Sequence, residues 1–325
     1  MTDRLSREIS YLRLSVTDRC NLRCTYCMPA EGGPGLARKD ILSYEELLRL
    51  AYLLAGVGVR RVRLTGGEPL LRKDLDRLVA GLKAVPGIEW VGLTTNGVLL
   101  KEQLPALLCA GLDGVNLSLD TLDREQYRQI TRRDSLAEAL EGLEAARSYS
   151  MLRVKLNCVP TALNRDQWVS LAALAQGTPV LDVRFIELMP IGLGIGIPRC
   201  EEAEILEALE GAFGPARSCP REPGTGPARY VTFAGFAGRV GFISAVSHPF
   251  CHGCNRIRLT ARGGLKPCLQ YGLETDLAAL LRGGASDEEL SAQIGRIIWE
   301  KPAGHHFQCA SALGDESRAM NQIGG

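Results

Sequence analysis

The chain has 325 residues, 46% of them hydrophobic and 23% charged, and its 38 Lys and Arg are balanced by 37 Asp and Glu. That balance excludes the broad basic field on which nucleic-acid binders depend, and no apolar run approaches the roughly 18 residues of a membrane span, so neither nucleic acid nor membrane is an expected partner. Residues 1–10 are polar and charged with no secretory-type apolar stretch, so the cytoplasm is the expected compartment; the length allows one large α/β barrel or two domains.

In chain order, β-branched runs alternate with amphipathic ones. Strands are expected over 11–16, 60–64, 89–94, 114–119, 152–159 and 181–188. Helices are expected over 44–55, 75–84, 103–110, 136–148 and 167–175, the first opened by Ser43 and Glu46 as a capping box. Six such β/α units in series imply a parallel sheet with right-handed crossovers. Past Pro190 the pattern changes to a glycine-rich apolar link over 191–198, a helix over 201–213 and a Pro/Gly loop over 221–227. Short strands over 229–233 and 240–245 and a helix over 287–299 follow, so the expected division is 1–190 and 191–325.

The polar residues of the expected strands recur with period two, which sets them on one face. Arg13 and Ser15 share a face, as do Arg61, Arg63 and Thr65, then Thr94 and Asn96, then Asn116, Ser118 and Asp120, then Arg153, Lys155 and Asn157, then Asp182 and Arg184. In an open sheet this face would meet solvent. In a sheet that curls under its crossover helices it would line a hollow barrel, basic enough for a large anion.

Reducing conditions disfavour disulfides, which turns attention from the number of cysteines, 11, to their placement. Cys109, Cys158, Cys200, Cys219 and Cys309 are isolated and read as packed or incidental thiols. Cys20, Cys24 and Cys27 fall in the loop after the first strand, at the sheet end where α/β proteins bind ligands. Three thiolates from one loop suit a 4Fe-4S cubane with one open iron, whereas zinc would want a fourth Cys or His close by, and none precedes the next strand. Cys251, Cys254 and Cys268 form a second group, readable as a zinc ribbon completed by His248 or His252, or as a second open-iron cluster.

Arg19 to Cys27, with its Cys-x-x-x-Cys-x-x-Cys spacing, resembles the cluster loop of the radical SAM superfamily, named for S-adenosylmethionine (SAM), and Gly66-Gly67-Glu68-Pro69 resembles the segment that receives the methionine amino group there. The wider set of motifs is similar to the GTP 3′,8-cyclase (MoaA) family. It comprises Arg13-Leu14-Ser15-Val16-Thr17-Asp18, Thr94-Thr95-Asn96-Gly97, Asn116-Leu117-Ser118-Leu119-Asp120, Met189-Pro190-Ile191-Gly192, the FCxxCNRxRLT run ending at Thr260, and the terminal Gly324-Gly325. The resemblance implies an incomplete (β/α)6 TIM-like barrel of the radical SAM type with a C-terminal α+β extension. It implies a lyase that converts GTP to 3′,8-cyclo-7,8-dihydroguanosine 5′-triphosphate, the first step of molybdenum cofactor biosynthesis. Cys20, Cys24 and Cys27 would hold the catalytic cluster, and Cys251, Cys254 and Cys268 a second 4Fe-4S cluster. Tyr26, Gly67, Ser118 and Met189 would contact SAM; Arg13, Arg63, Thr94, Lys155, Arg256, Ile257 and Arg258 would contact GTP, and the Gly-Gly tail would reach toward the active site.

Expected partners are GTP, a reductant, the next pathway enzyme (cyclic pyranopterin monophosphate synthase) and a second copy in a homodimer. The chain has no GxxxxGK phosphate loop followed by Ser or Thr, so side-chain cations would have to hold a triphosphate. Two features depart from the family: Arg61 stands where Lys is usual, and 192–198 is unusually apolar. The rival readings are a radical SAM enzyme acting on peptides with an auxiliary cluster, and a zinc-binding nucleic-acid module.

Overall fold

The computed structural model describes residues 1–33, 35–220, 226–307 and 314–324; Cys309, Gly325 and most of the 221–227 loop lie outside them. Strands β1 (Tyr11–Ser15), β2 (Arg61–Thr65), β3 (Trp90–Thr95), β4 (Gly114–Ser118), β5 (Arg153–Cys158) and β6 (Leu181–Ile186) pair in chain order, all parallel. One side chain in two forms the outer face: Leu12, Leu14, Val62, Leu64, Val91, Leu93, Leu117, Leu156, Val183 and Phe185 are all 2% exposed or less. Each such burial stabilises the fold by about 2 kcal/mol.

The covering helices are α1 (Tyr44–Gly56), α2 (Leu75–Ala84), α3 (Leu100–Cys109), α4 (Arg124–Thr131), α5 (Leu136–Arg147) and α6 (Trp168–Ala173). The α1 capping box forms as expected, with Glu46 N–H donating to Ser43 Oγ at 3.2 Å and Ser43 N–H to a Glu46 carboxylate oxygen at 2.7 Å. Helix α3 starts one turn earlier than expected, which places Pro105 in its interior. Helix α4 was not expected at all; Asp123 caps it by accepting from Gln126 N–H at 2.8 Å. The helix expected over 167–175 is shorter, preceded by a 3-10 segment over Ala162–Gln167.

Beyond β6 come α7 (Glu202–Phe213), β7 (Arg217–Ser218), β8 (Arg229–Thr232), β9 (Arg239–Ile243), β10 (Arg256–Leu259), β11 (Gly264–Lys266), β12 (Thr275–Asp276), α8 (Leu277–Arg282), α9 (Asp287–Trp299) and α10 (Met320–Ile323). These strands join the same sheet. β9 adds parallel to β6 and β10 adds parallel to β1, and antiparallel strands then finish both edges in the order β12-β11-β10-β1-β2-β3-β4-β5-β6-β9-β8-β7. Side chains from β10 and β9, at opposite ends of the parallel run, line one cavity of about 280 Å³ with residues of β1 to β6. The sheet is therefore curled with its polar face inward: an incomplete (β/α)6 barrel with a C-terminal extension, not an open sheet wetted on one side.

The last described segment is tied to the barrel by an ion network that is buried at Lys266 and Glu316 and partly exposed at Arg318 and Glu274. Lys266 binds Glu316, and Arg318 bridges Glu316 at 2.8 Å and Glu274 at 2.7 Å. Asn321 Nδ2 donates to the Asp18 carbonyl at 2.8 Å, and Ile323 packs with Ile191, Val246 and Phe307. Among the described residues, no helix is long and apolar enough to cross a membrane.

Candidate active site

The loop that carries Cys20, Cys24 and Cys27 leaves the carboxyl end of β1 and is held from two sides. On one side, Gly67 N–H donates to the Thr17 carbonyl at 2.8 Å and Glu68 N–H to the Arg19 carbonyl at 2.7 Å. A Cβ on Gly67 would lie 2.3 Å from the Arg19 carbonyl oxygen, so only glycine permits this approach. On the other side, the end of α4 receives Arg23 N–H on Thr131 O and Thr25 N–H on Ile130 O, each at 2.9 Å. Glu68 is 1% exposed and accepts from Thr95 Oγ1, Asn96 N–H and Leu70 N–H, at 2.8, 2.7 and 3.0 Å. Burial nonetheless raises its carboxyl to about 7.

Burial, followed by neighbouring negative charge, raises the Cys20 thiol to about 11, Cys27 to about 12 and Cys24 well above its ordinary range. Thiolates in such surroundings need a cationic centre, and three soft sulfurs in one loop match the irons of a cubane. Among the described residues no three His, Cys, Asp or Glu side chains converge on a point for one ion. A cubane requires no such point, because each iron takes its own thiolate.

The four residues assigned to SAM gather at the mouth of the barrel. Tyr26 donates its hydroxyl to Asp120 Oδ2 at 2.6 Å, Gly67 follows β2, Ser118 ends β4 on the exposed side, and Met189 follows β6 and packs on the Ile191 and Ile323 cluster. That packing explains the apolar 191–198 link at its start: Ile191 is 2% exposed, under the C-terminal segment.

The residues assigned to GTP lie deeper. Register places Arg13 between Arg258 of β10 and Arg63 of β2, with Lys155 between Asn116 and Asp182. Arg63 donates through Nε to Tyr11 Oη at 3.0 Å and through Nη1 to the Leu93 carbonyl at 2.8 Å. Thr94 Oγ1 is buried without a partner among the described residues. Ile257 is 0% exposed in the outer core, so only its backbone can face a ligand. The tail reaches the same space, where the Gly324 carbonyl accepts from Arg258 Nη1 at 3.0 Å and Thr65 Oγ1 at 3.3 Å.

Charge in this lumen is one-sided. The cavity takes its walls from Arg13, Arg61, Arg63, Arg153, Lys155, Arg184, Arg239 and Arg256, and the one acid among its described lining residues, Asp182, is paired with Arg239 at 2.9 Å. Burial and then Arg184 lower Lys155 to about 7, and burial and then Arg256 lower Arg258 to about 10. Burial would raise the Tyr11 phenol, but Arg63 and Arg13 pull it down to about 8. Arg61, Arg153 and Arg184 were absent from the expected site although they share its strand parity. Tyr11 and Trp90 share the parity of Arg13 and Thr94 but are aromatic, not charged, and Arg239 falls just outside the expected 240–245 strand.

The second cysteine group collects at the opposite end of the barrel. Cys251 and Cys254 precede β10, and Cys268 follows β11, which runs back antiparallel to β10. Arg7 Nη1 donates to the Cys251 carbonyl at 2.9 Å, and Lys301 Nζ to the Arg256 carbonyl at 2.8 Å. Burial opposes ionisation of Cys254, but Lys301 and Arg256 outweigh it and lower the thiol. His248 is turned elsewhere, toward Ser247 Oγ at 3.3 Å and Glu202 at 4.0 Å.

Comparison with known proteins matches residues 14–175 to the Radical SAM superfamily and 181–307 to Molybdenum Cofactor Synthesis C. The chain is 47% identical over 332 residues to a GTP 3′,8-cyclase of Pelotomaculum thermopropionicum, covering 100% of each. It is 45% identical over 328 residues to a GTP 3′,8-cyclase of Moorella thermoacetica, again over 100% of each. The crystal structure of Streptococcus suis SuiB bound to S-adenosylmethionine shares the fold, with a TM-score of 0.58 at 17% identity over 89% of this chain and 68% of that one. The chain thus belongs to the GTP 3′,8-cyclase family of the radical SAM superfamily.

Proposed function

We propose that the chain converts GTP to 3′,8-cyclo-7,8-dihydroguanosine 5′-triphosphate as a lyase, in the first step of molybdenum cofactor biosynthesis. The observation that carries this reading is the two-tier barrel: a glycine-clasped cysteine loop at the mouth and a basic cavity inside the barrel below it. When bound, the first cluster would supply the electron for reductive cleavage of SAM to methionine and a 5′-deoxyadenosyl radical; that radical would take the 3′ hydrogen of GTP, C3′ would close on C8, and one further electron and a proton would quench the cyclised radical.

The chain's own residues then have separable tasks. Cys20, Cys24 and Cys27 hold the first cluster, while Tyr26, Gly67, Ser118 and Met189 place SAM at the mouth, with Glu68 fixing the Gly67 turn. Arg13, Arg63, Lys155, Arg256 and Arg258 bind the triphosphate, because charge-assisted and bidentate bonds to phosphate are the strong ones. Thr94 Oγ1 and the Ile257 backbone would meet the nucleoside. Cys251, Cys254 and Cys268 would hold a second 4Fe-4S cluster, which would supply an open iron for the guanine.

The radical unit would be 1–190, with the second cluster in 191–325. A homodimer, an external reductant and handover to cyclic pyranopterin monophosphate synthase complete the reading. A peptide substrate is disfavoured because a chain needs an open groove, not a cationic pocket of about 280 Å³. Anaerobic incubation of the reconstituted protein with GTP, SAM and a strong reductant tests it directly. Formation of the 3′,8-cyclised nucleotide supports the reading; intact GTP beside cleaved SAM would overturn it.

A further inference from the structure

On the inner wall of the barrel, β3 carries Trp90 and, two residues on and on the same face, Gly92, which pairs across the ladder with Gly114 of β4. A Cβ on Gly92 would lie 2.0 Å from Trp90 Cη2, and one on Gly114 would lie 3.1 Å from Trp90 Cζ2. The two glycines therefore make a flat bed on which the indole lies along the wall. Any larger residue at Gly92 would lift it into the lumen.

Arg61 of β2 is the register partner of Trp90, and Arg63 follows two residues later on the same face. Their guanidinium carbons stand 4.7 Å and 4.5 Å from the indole ring. One ring thus serves two cations from one strand, and stacking fixes the plane of each guanidinium as well as its place. Arg63 has already committed Nε to Tyr11 Oη and Nη1 to the Leu93 carbonyl. Arg61 Nε is buried with no hydrogen-bond partner among the described residues. Among the described residues no unpaired carboxylate lines the cavity, since Asp182 is held by Arg239. Two like charges side by side in a buried space repel, and the negative face of the indole offsets part of that repulsion while leaving donors for a polyanion. Indole offers a single N–H donor and no charge, so its contribution to anion binding is made through the arginines.

We infer that Trp90 is a positioning residue for the substrate triphosphate: its ring, bedded on Gly92 and Gly114, holds Arg61 and Arg63 as a preset pair of phosphate clamps. This rests on the GTP reading above and extends it to residues that do not themselves reach the reacting carbon. The test is equilibrium binding of GTP, guanosine and inorganic tripolyphosphate to the anaerobically reconstituted full chain, wild type against Trp90→Leu and Trp90→Phe. Trp90→Leu is expected to weaken GTP and tripolyphosphate about tenfold at low salt while guanosine affinity and iron content stay at wild-type level. Trp90→Phe, which keeps a smaller aromatic face, is expected to lose about threefold, and it carries the test if the leucine variant does not fold. Wild-type tripolyphosphate affinity in the folded variants would overturn the inference and leave the GTP reading standing, as would an equal loss for guanosine, which would mark Trp90 as scaffold. A wild-type chain that binds tripolyphosphate in a Trp90-dependent way but not GTP would support the clamp and overturn the substrate reading.

Discussion

Replacement of Gly67 by alanine should empty the first cluster site while leaving the barrel folded. The added Cβ would stand 2.3 Å from the Arg19 carbonyl oxygen, 2.6 Å from the Arg19 carbonyl carbon and 2.8 Å from the Asp18 oxygen. All three are backbone atoms with no rotamer to escape into, so the two segments must part by roughly 1 Å to restore ordinary contact. That movement stretches Gly67 N–H to Thr17 O, now 2.8 Å, and Glu68 N–H to Arg19 O, now 2.7 Å, out of hydrogen-bond range. Two such bonds are worth about 1 kcal/mol each, and overpacking adds about 1 to 3, for a local cost of about 3 to 5 kcal/mol. The displaced loop carries the three proposed cluster ligands, and a misplacement of about 1 Å costs on the order of a hundredfold in rate even where ligands survive. Iron and sulfide should fall from about eight to about four per chain after anaerobic reconstitution, with loss of SAM binding. Gly56→Ala, where a Cβ meets nothing within 4 Å, is the control and should keep both. Full iron content and wild-type SAM affinity in Gly67→Ala would refute the reasoning.

Three further outcomes are expected. Arg256→Ala should weaken GTP about tenfold or more while SAM cleavage partly survives, as read by calorimetry and methionine release; unchanged GTP affinity removes the residue from the site. Lys155, lowered by burial to about 7 against 10.5, is less protonated in the fold than in the unfolded chain, so ligand-free stability should rise with pH across that window. A bound polyanion reverses this: GTP binding at pH 8 should take up a proton and weaken as pH rises through the window, and Lys155→Met should abolish the uptake seen by calorimetry in two buffers. Glu316, whose carboxyl Arg318 and Lys266 hold down at about 2 although burial opposes them, stabilises the fold fully above its ordinary 4.5 and loses that as pH falls through about 2. Glu316→Ala leaves Lys266 buried and unpaired, at a cost of about 3 kcal/mol, which melting temperature and proteolysis of the C-terminal segment will register.

The barrel core is legible in the sequence because a parallel strand must hide one face under helices, and the alternation of Val or Leu with polar residues in β1 to β5 states which face that is. Helices α2 and α9 begin and end where their periodicity does, at Leu75–Ala84 and Asp287–Trp299. Strand β10 is harder to see: Arg256–Leu259 alternates correctly, but four residues between cysteines carry too little pattern, and its partner β1 lies some 240 positions earlier, a pairing that local signals cannot encode. The short α4 is hidden because its mean composition is polar, and only Tyr127, Ile130 and Thr131 are buried. Arg239 becomes part of the site because β9 pairs beside β6, setting it opposite Asp182, a long-range pairing that strand parity alone does not supply; Trp90 shares the parity of Thr94, but nothing local marks an aromatic residue as a support for cations.

The parallel pairing of β1 with β10 has one consequence for the chemistry that no single motif carries. Because the two strands run the same way, the cysteine loop that follows β1 and the cysteines that precede β10 fall at opposite ends of the barrel; had the pair been antiparallel, both groups would crowd one end. β11 turns back antiparallel and delivers Cys268 to the same end as Cys251 and Cys254. Between the two groups the paired segment runs from Tyr11 to Leu14, about 10 Å at an ordinary strand rise, with Arg13, Arg63 and Arg258 abreast across it. A nucleotide held there lies between the two sulfur-rich ends, so its ribose can be offered to the mouth while its base faces the other way. The cations proposed to hold it belong to the same strands that lead to the cysteines, so a shift of β10 would disturb phosphate binding and the second cysteine group together.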